Sequence, residues 1–256
     1  MAATEAELAL PGPLAVERAS LDAWPGIEVL WDGAWVRRSA HGFSKRANSV
    51  QPFDPGDDAD AEARLLAAAR WYEQRGLRPA VRLTPLAGPG VVAALDRLGW
   101  VAVDASHLFA MPLAATTADP RGEVLDARDP RFLAVQERLQ GYSAAARDGL
   151  AAILGALRVP AAGIVLHAEG QLVASGLMSI ADGIVVTGNV IVAATARRRG
   201  YAAAMLRTGL AWAYEAGARV AALNVAADNL GAQALYRGLG YARHYDYGYR
   251  VPGRAA

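Results

Sequence analysis

Three consecutive arginines and a glycine separate an apolar, β-branched run from a helical pattern late in the 256-residue chain. The run ends at Val190-Ile191-Val192, Arg197-Arg198-Arg199 follow, and Gly200 precedes small residues that begin with Ala202 and Ala203. Unpaired N–H groups at the start of a helix attract anions, and small residues let an anion approach the backbone. Arginines add positive charge beside it. The segment therefore predicts a site for a pyrophosphate.

A second pattern follows at Asn229-x-x-Ala232-x-x-Leu235-Tyr236-x-x-x-Gly240-Tyr241. It resembles the N-x-x-A-x-x-L-Y-x-x-x-G-F segment of the GNAT N-acetyltransferases. The earlier Arg197-x-x-Gly200-x-Ala202 matches the R-x-x-G-x-G/A signature of the same family. One pattern follows a strand and the other opens a helix, which is the context that the family requires. The resemblance covers about residues 122–256.

The resemblance implies that acetyl-coenzyme A is the co-substrate and that a direct attack by a primary amine on its thioester is the reaction. Tyr236 occupies the position that protonates the leaving thiolate, a task for which a phenol suits. A core tyrosine is the other interpretation of this position. Asn229 contacts the coenzyme in the family, and it also suits a helix N-cap. The residues expected at the coenzyme are Val190, Ile191, Val192, Arg197, Arg198, Arg199, Gly200, Tyr201, Ala202, Ala203, Asn229, Ala232 and Tyr236.

The acceptor side is less defined by the sequence. Asn189 and Asn224 interrupt two apolar strands that we expect to lie side by side, and each must find a polar partner or line a cavity. The general base is not assigned. Glu169 and Asp182 lie in turns, and His244 follows the second motif. No spacing of His, Asp and Glu indicates a metal site.

The order of elements predicts a mixed β-sheet with helices packed on it, in an α/β fold. An antiparallel meander precedes a strand–helix–strand–helix–strand unit, whose flanking strands are expected to pair in parallel. The predicted strands of this half are 124–128, 163–168, 172–180, 184–193, 220–225 and 241–251, and the predicted helices are 130–157, 200–216 and 229–239.

A non-periodic stretch rich in Pro, Gly, Thr and Ala divides the chain. It predicts a linker at 113–122 between a first half, residues 1–112, and a second half, residues 123–256. Strands at 47–51, 79–83 and 100–111 and helices at 58–75 and 90–98 repeat the order of the second half. Leu95–Trp100 parallels Leu235–Tyr241, so we interpret the first half as a degenerate GNAT-like copy. We therefore expect two tandem domains, each a central mixed β-sheet flanked by helices.

The equivalent loop of the first half is acidic, Phe53–Asp58, and its carboxylates would repel a pyrophosphate. We therefore expect one coenzyme site per chain. A polar stretch at 35–49 either binds an acidic acceptor across the cleft between the halves or forms a solvated hairpin. Its candidate residues are Arg37, Arg38, Lys45, Arg46, Asn48 and Ser49.

The composition of the chain limits the classes of partner and cellular location that we expect. The net charge of +1 and the lack of a long basic run disfavour nucleic acid, and no apolar stretch reaches the roughly 20 residues of a membrane span. The absence of cysteine excludes disulfides and thiolate chemistry. We expect a cytoplasmic protein, a monomer or homodimer, with a small-molecule amine as acceptor. The alternatives are a non-catalytic acyl-CoA sensor, a protein N-acetyltransferase and a nucleotide-binding oxidoreductase, the last lacking the further glycines of a dinucleotide loop.

Overall fold

One mixed sheet of 11 strands organises the computed structural model, which describes residues 9–253. This confirms the predicted α/β fold of mixed sheet and helices, and the two sheets expected, one in each half, are joined into a single sheet. The elements of the first half are α1 (Pro13–Ala23), β1 (Glu28–Asp32), β2 (Trp35–Ser39), β3 (Val50–Pro52), α2 (Ala61–Glu73), β4 (Val81–Leu83), α3 (Pro89–Arg97) and β5 (Trp100–Pro112). The sequence analysis did not predict α1, β1 or β2. The strand predicted at 47–51 begins later because Lys45–Ala47 form a 3-10 turn.

The second half follows the predicted order closely. Its elements are β6 (Gly122–Asp126), α4 (Pro130–Gln140), α5 (Ala144–Ala156), β7 (Ala161–Ala168), β8 (Gln171–Ala181), β9 (Ile184–Val192), α6 (Tyr201–Glu215), β10 (Val220–Ala226), α7 (Leu230–Gly238) and β11 (Ala242–Pro252). The single helix predicted at 130–157 is wrong. Gly141, at φ +67°, ends α4, and the Ser143 hydroxyl accepts a hydrogen bond from Ala146 N–H to begin α5.

The strands lie in the order β1-β2-β3-β4-β11-β5-β10-β9-β8-β7-β6. The last strand of each half is therefore inserted into the other half: β11 lies beside β4, and β5 lies beside β10. The two long strands also pair with each other in antiparallel fashion, from Ala242 opposite Ala110 to Pro252 opposite Trp100. Neither half completes its sheet with its own last strand.

This exchange overturns one expectation about pairing. β9 and β10 pair in parallel, as predicted for the strands that flank α6. β10 and β11, which flank α7, do not pair, because β5 lies between them and is antiparallel to both. The crossover through α7 therefore spans two strand spacings rather than one.

Helices cover both faces of the sheet around the second half. Ile164 on β7 and Leu223 on β10 share a core with Leu206 and Leu210 of α6 and with Tyr236 of α7. The alternate residues face the other way, where α4 and α5 cover β7 and β8 and where α1 covers β8, β9 and β10. Helix α1 thus packs on strands of the second half.

Between residues 9 and 253, no helix is long and apolar enough to cross a membrane. The same residues contain no group of three or more His, Asp and Glu side chains arranged to hold a metal ion.

Candidate functional site

A cleft opens where β9 and β10 separate. Their parallel pairing stops at Thr187 and Leu223, although β9 continues to Val192 and β10 to Ala226. The cleft has a volume of about 720 Å³ and reaches from the end of β9 to the first turn of α6 and to α7. The backbone of β9 beyond Thr187 is therefore available to pair with an extended ligand on the side that faces away from β8.

A β-bulge in β9 produces this separation. Asn189 has a φ of +50°, and the register with β8 shifts by one residue, since Ser175 pairs with Ile191 but Leu177 pairs with Gly188. The buried side chain of Gln136 on α4 holds the bulge: its Nε2 donates to Asn189 O at 3.1 Å and to Ser175 Oγ at 3.0 Å. The sequence analysis missed Gln136, because the β-bulge that it contacts is visible only in the pairing of the folded strands.

The first turn of α6 meets the cleft with unpaired donors. Gly200, the N-cap, has a φ of +77°, a conformation that favours glycine, and its side is open because nothing lies within 4 Å of a Cβ built there. Within the described part of the chain, the N–H groups of Tyr201, Ala202 and Ala203 donate to no other group. Free donors at the positive end of a 15-residue helix fit a pyrophosphate.

The three consecutive arginines, all expected at the coenzyme, do not point to the same place. Arg197 and Arg198 line the cleft. Arg199 does not; its Nη2 lies 3.3 Å from Glu169 Oε1, and its guanidinium lies over the Tyr201 ring. The change of direction follows from the turn at Arg198, whose φ is +63°.

All other residues expected at the coenzyme line the cleft, and their roles stay predictions. They are Val190, Ile191, Val192, Arg197, Arg198, Gly200, Tyr201, Ala202, Ala203, Asn229, Ala232 and Tyr236. The cleft also includes Ala196, Gly231, Ala234 and Leu235, which the sequence analysis did not assign. Gly231 and Ala234 were detectable as small residues on the cleft side of the second motif.

Tyr236 lies between this cleft and a second cavity, because it lines both. Only 7% of its surface is exposed, and burial raises the pKa of its phenol to about 12. The phenol therefore remains protonated at neutral pH. Asn229 positions the helix that bears it, since Asn229 Oδ1 accepts a hydrogen bond from Ala232 N–H at 3.0 Å. The N-cap role expected for Asn229 is thus present in the structure.

The second cavity, of about 320 Å³, lies on the other side of Tyr236. Asn189 and Asn224, the two polar interruptions of the strands, both line it. So do Arg46 from the first half and Tyr247 from β11. We call it the Arg46 pocket. It is formed by both halves of the chain.

The polar stretch at 35–49 contributes one side chain to this pocket. Arg37 pairs with Asp32 at 2.8 Å, and Lys45 pairs with Asp104 at 2.6 Å on the surface. Arg46 points into the pocket.

The other candidates of this stretch are internal. Arg38 is buried and donates to Trp24 O at 3.0 Å. Asn48 holds its own loop through hydrogen bonds with Ala40 N–H and Phe43 O, and Ser49 is fully buried. These residues shape the segment from within, and Arg46 alone of the six lines the pocket.

The residues considered as a general base lie elsewhere. Glu169 is paired with Arg199, Asp182 occupies an exposed hairpin turn, and His244 Nε2 lies 2.9 Å from Pro11 O. Among residues 9–253, no Asp, Glu or His lines the cleft or the Arg46 pocket.

The equivalent helix start in the first half has the opposite electrostatics. Asp60, the N-cap of α2, has a φ of +52°, similar to that of Gly200 at α6. The charged residues that line the cavity at this helix start are Asp58, Asp60, Glu62 and Arg97, and Arg97 is paired with Glu62 at 3.0 Å. The net charge of this wall is negative, so it repels an anion where α6 offers arginines and free N–H groups, which favours one coenzyme site per chain.

Comparisons with known proteins place the chain among acetyltransferases. Residues 14–250 match the family described as "Probable histone acetyltransferase Rv0428c C-terminal". The chain is 25% identical over 242 residues to the "Uncharacterized N-acetyltransferase YobR" of Bacillus subtilis (strain 168), covering 92% of this chain and 97% of that protein. It is 34% identical over 87 residues to the "Probable histone acetyltransferase Rv0428c" of Mycobacterium tuberculosis (strain ATCC 25618 / H37Rv), covering 32% of this chain and 28% of that protein.

Solved structures share the fold. A GCN5-related N-acetyltransferase from Kribbella flavida has a TM-score of 0.73 at 20% identity, covering 96% of this chain and 97% of that one. A tandem GNAT protein from the clavulanic acid biosynthesis pathway has a TM-score of 0.63 at 13% identity, covering 95% and 93%.

The fold and the site define an acetyltransferase of the GNAT type. Within that class the chain belongs to the family described as "Probable histone acetyltransferase Rv0428c C-terminal", whose match spans both halves. The similarity therefore extends beyond residues 122–256, to which the sequence motifs alone had limited it.

Proposed function

We propose that the protein transfers an acetyl group from acetyl-CoA to a primary amine of a small molecule. The observation that carries this proposal is the continuity of the site: unpaired N–H groups of α6 at one end, the free backbone of β9 along it, and Tyr236 where the cleft meets the Arg46 pocket. The donor supplies an activated acyl carbon as a thioester. The chain supplies the anion site, the strand and the proton donor.

The residues have distinct tasks in this proposal. Arg197, Arg198 and the first turn of α6 bind the pyrophosphate. Val190–Val192 pair with the extended arm of the coenzyme and orient its carbonyl. Tyr236 gives its proton to the departing sulfur as the C–S bond breaks and the C–N bond forms.

The attacking nitrogen must also lose a proton. Because no Asp, Glu or His of residues 9–253 lines either cavity, we propose that this proton leaves through water in the Arg46 pocket. The rate is then expected to rise with pH through the pKa of the acceptor amine itself. A small acceptor fits the 320 Å³ of the pocket.

Isothermal titration with acetyl-CoA tests the donor site. We expect one-site binding by the wild type and a Kd on the order of a hundredfold higher in Arg197→Glu/Arg198→Glu, since each charge-assisted hydrogen bond contributes roughly 1.5–3 kcal/mol. Arg207→Glu, on the exposed face of α6, is the matched control and should bind as the wild type does. A wild type that does not bind acetyl-CoA would refute the proposal.

Release of the coenzyme A thiol then tests transfer. The chain has no cysteine, so a thiol reagent reports only the product. Thiol release that depends on an added small amine supports the enzyme. Binding without release for any amine would indicate the acyl-CoA sensor, and release only with protein substrates would indicate a protein N-acetyltransferase.

A further inference from the structure

The guanidinium of Arg46 enters the Arg46 pocket without a counter-ion. Within residues 9–253 the guanidinium has no hydrogen bond or ion pair; it lies over the Trp24 ring, 4.7 Å from the ring centroid, with its nitrogens beside Gly188 of β9. The side chain is half-buried, and burial lowers the pKa of its guanidinium. A charged group in such a place normally has an anionic partner.

Among residues 9–253, buried arginines outnumber buried carboxylates. Arg38 and Arg82 are both buried, and Glu17 is the only buried carboxylate among residues 9–253. Glu17 is already fully engaged: Oε1 accepts from Arg82 and Tyr245, and Oε2 accepts from Gln51 and Arg82.

The neighbouring arginines show the effect of this excess. Burial, together with the charge of Arg82, lowers the pKa of Arg38 to about 10. The guanidinium carbon of Arg82 lies 3.6 Å from the centroid of the Tyr247 ring, and Tyr247 lines the pocket. The charge of Arg82 also contributes to lowering the pKa of Arg46, so Arg82 adds to the positive potential at the pocket.

Two other polar side chains of the pocket wall each have an unpaired amide nitrogen. Nδ2 of Asn189 and Nδ2 of Asn224 are buried and have no hydrogen-bond partner within the described residues. Asn224 cannot turn its amide to relieve this without loss, because its Oδ1 accepts from Arg82 Nη2 at 3.2 Å. Both nitrogens are shielded from solvent, so the guanidinium of Arg46 is the positively charged group that the cavity offers to a ligand, and no carboxylate of residues 9–253 lies in the cavity wall.

We infer that the acceptor is a small amino carboxylic acid, whose carboxylate binds Arg46 while its amine reaches the end of the cleft beside Tyr236. This inference rests on the proposed function and specifies its substrate class. A planar guanidinium matches a carboxylate in two parallel hydrogen bonds. The 320 Å³ of the pocket accommodates a molecule of amino-acid size.

Matched pairs of amines test the inference. The probes are glycine, β-alanine, γ-aminobutyrate and the common L-amino acids, each compared with its carboxamide, in the thiol-release assay on the full chain. We expect acetylation of acids and a kcat/KM at least tenfold lower for the matching amide. In Arg46→Gln we expect KM for the acid to rise about tenfold or more, with the preference for acid over amide lost.

The control variant is Lys45→Gln. It removes one positive charge from the adjacent position, where the ammonium pairs with Asp104 on the surface and does not line the pocket. It should retain the wild-type preference. Titration of acetyl-CoA into Arg46→Gln should give the wild-type Kd, which shows that the variant folds and that its donor site is intact.

Saturation-transfer NMR on the coenzyme A complex measures acceptor binding without turnover. Binding of at least one acid in preference to its amide, lost in Arg46→Gln, supports the inference. Equal binding of acids and their amides, or an unchanged preference for the acid in Arg46→Gln, overturns the inference. A failure of acetyl-CoA to bind the wild type is a different result, which overturns the proposed function.

Discussion

Arg82 on β4 donates a hydrogen bond from Nη2 to Oδ1 of Asn224 on β10, at 3.2 Å. Asn224 is the first residue of β10 beyond its last pair with β9, so it lies where the two strands separate. Glu17 on α1 holds Arg82 at 2.9 Å. The first half thus fixes a side chain of the site, although every sequence motif of that site lies in the second half.

The Glu17–Arg82 pair predicts a large loss of stability on neutralisation. Both side chains are almost fully buried, at 1% and 2% exposed. Glu17→Gln leaves a buried guanidinium without its counter-ion, which we expect to lower the free energy of unfolding at neutral pH by about 3–5 kcal/mol. Urea denaturation measures this. Glu62→Gln, which removes an exposed carboxylate 3.0 Å from Arg97, is the control and should change little.

The same pair predicts a pH dependence. Burial alone would raise the pKa of Glu17, but Arg82 and the hydrogen bonds from Arg82, Tyr245 and Gln51 lower it below its usual value of 4.5. A lowered pKa in the folded state contributes stability above pH 4.5, and this contribution is lost as the pH falls through the folded-state value. The stability difference between wild type and Glu17→Gln should be constant from pH 6 to 8 and shrink below pH 4.5. A difference that grows in acid would contradict the assignment.

Tyr236→Phe should reduce kcat by about a hundredfold or more while acetyl-CoA binds with its wild-type Kd, because only proton donation is removed. Since burial raises the pKa of this phenol to about 12, the protonated form is present throughout the working range. Ionisation of this phenol should therefore cause no decrease in the wild-type rate between pH 7 and 10. Equal kcat in the two proteins would show that Tyr236 is a core residue only.

Gly200→Ala tests the turn that precedes α6. The φ of +77° costs a residue with a Cβ roughly 1–2 kcal/mol. We expect a loss of about 1 kcal/mol in the free energy of unfolding. Acetyl-CoA should bind more weakly, since relief of the strain moves the N–H groups of the first turn. Gly155→Ala in α5 is matched to it, because nothing lies within 4 Å of the added Cβ and φ is negative. If the two variants bind acetyl-CoA equally, the turn does not shape the site.

Short-range patterns predicted the second half well. The start of α6 at Gly200 and the Asn229 cap of α7 depend on residues within a few positions of one another, so their spacing determines them. The same reasoning could have predicted the break at Gly141, because helices commonly end at a glycine and begin after a serine, which here is Ser143.

The remaining features depend on contacts between distant parts of the chain. The insertion of β5 between β10 and β11 pairs residues more than 100 positions apart, which periodicity does not report. The role of Arg46 is a second example. Among several basic residues of the stretch at 35–49, its position at the pocket follows only from the packing of the first half against β9 and β11.

The exchange of β5 and β11 leads us to propose that the two halves fold as one unit, even though the linker separates them in sequence. Residues 113–256 alone lack β5, which β10 and β11 both require as a neighbour, and lack α1, which covers Ile184, Val186 and Val220. We expect this fragment to show no cooperative unfolding and no binding of acetyl-CoA.

Cleavage of the folded full-length chain at the linker distinguishes the loss of β5 and α1 from the loss of the covalent connection between the halves. Residues 114–118 are exposed coil, so a protease site inserted after Thr116 can be cut once the protein has folded. We expect the two pieces to elute together in gel filtration and to keep the wild-type Kd for acetyl-CoA, because the exchanged strands hold them. Pieces that separate and leave an active second half would show that residues 123–256 are a self-sufficient domain, and that the exchanged strand stabilises the sheet without being required for it.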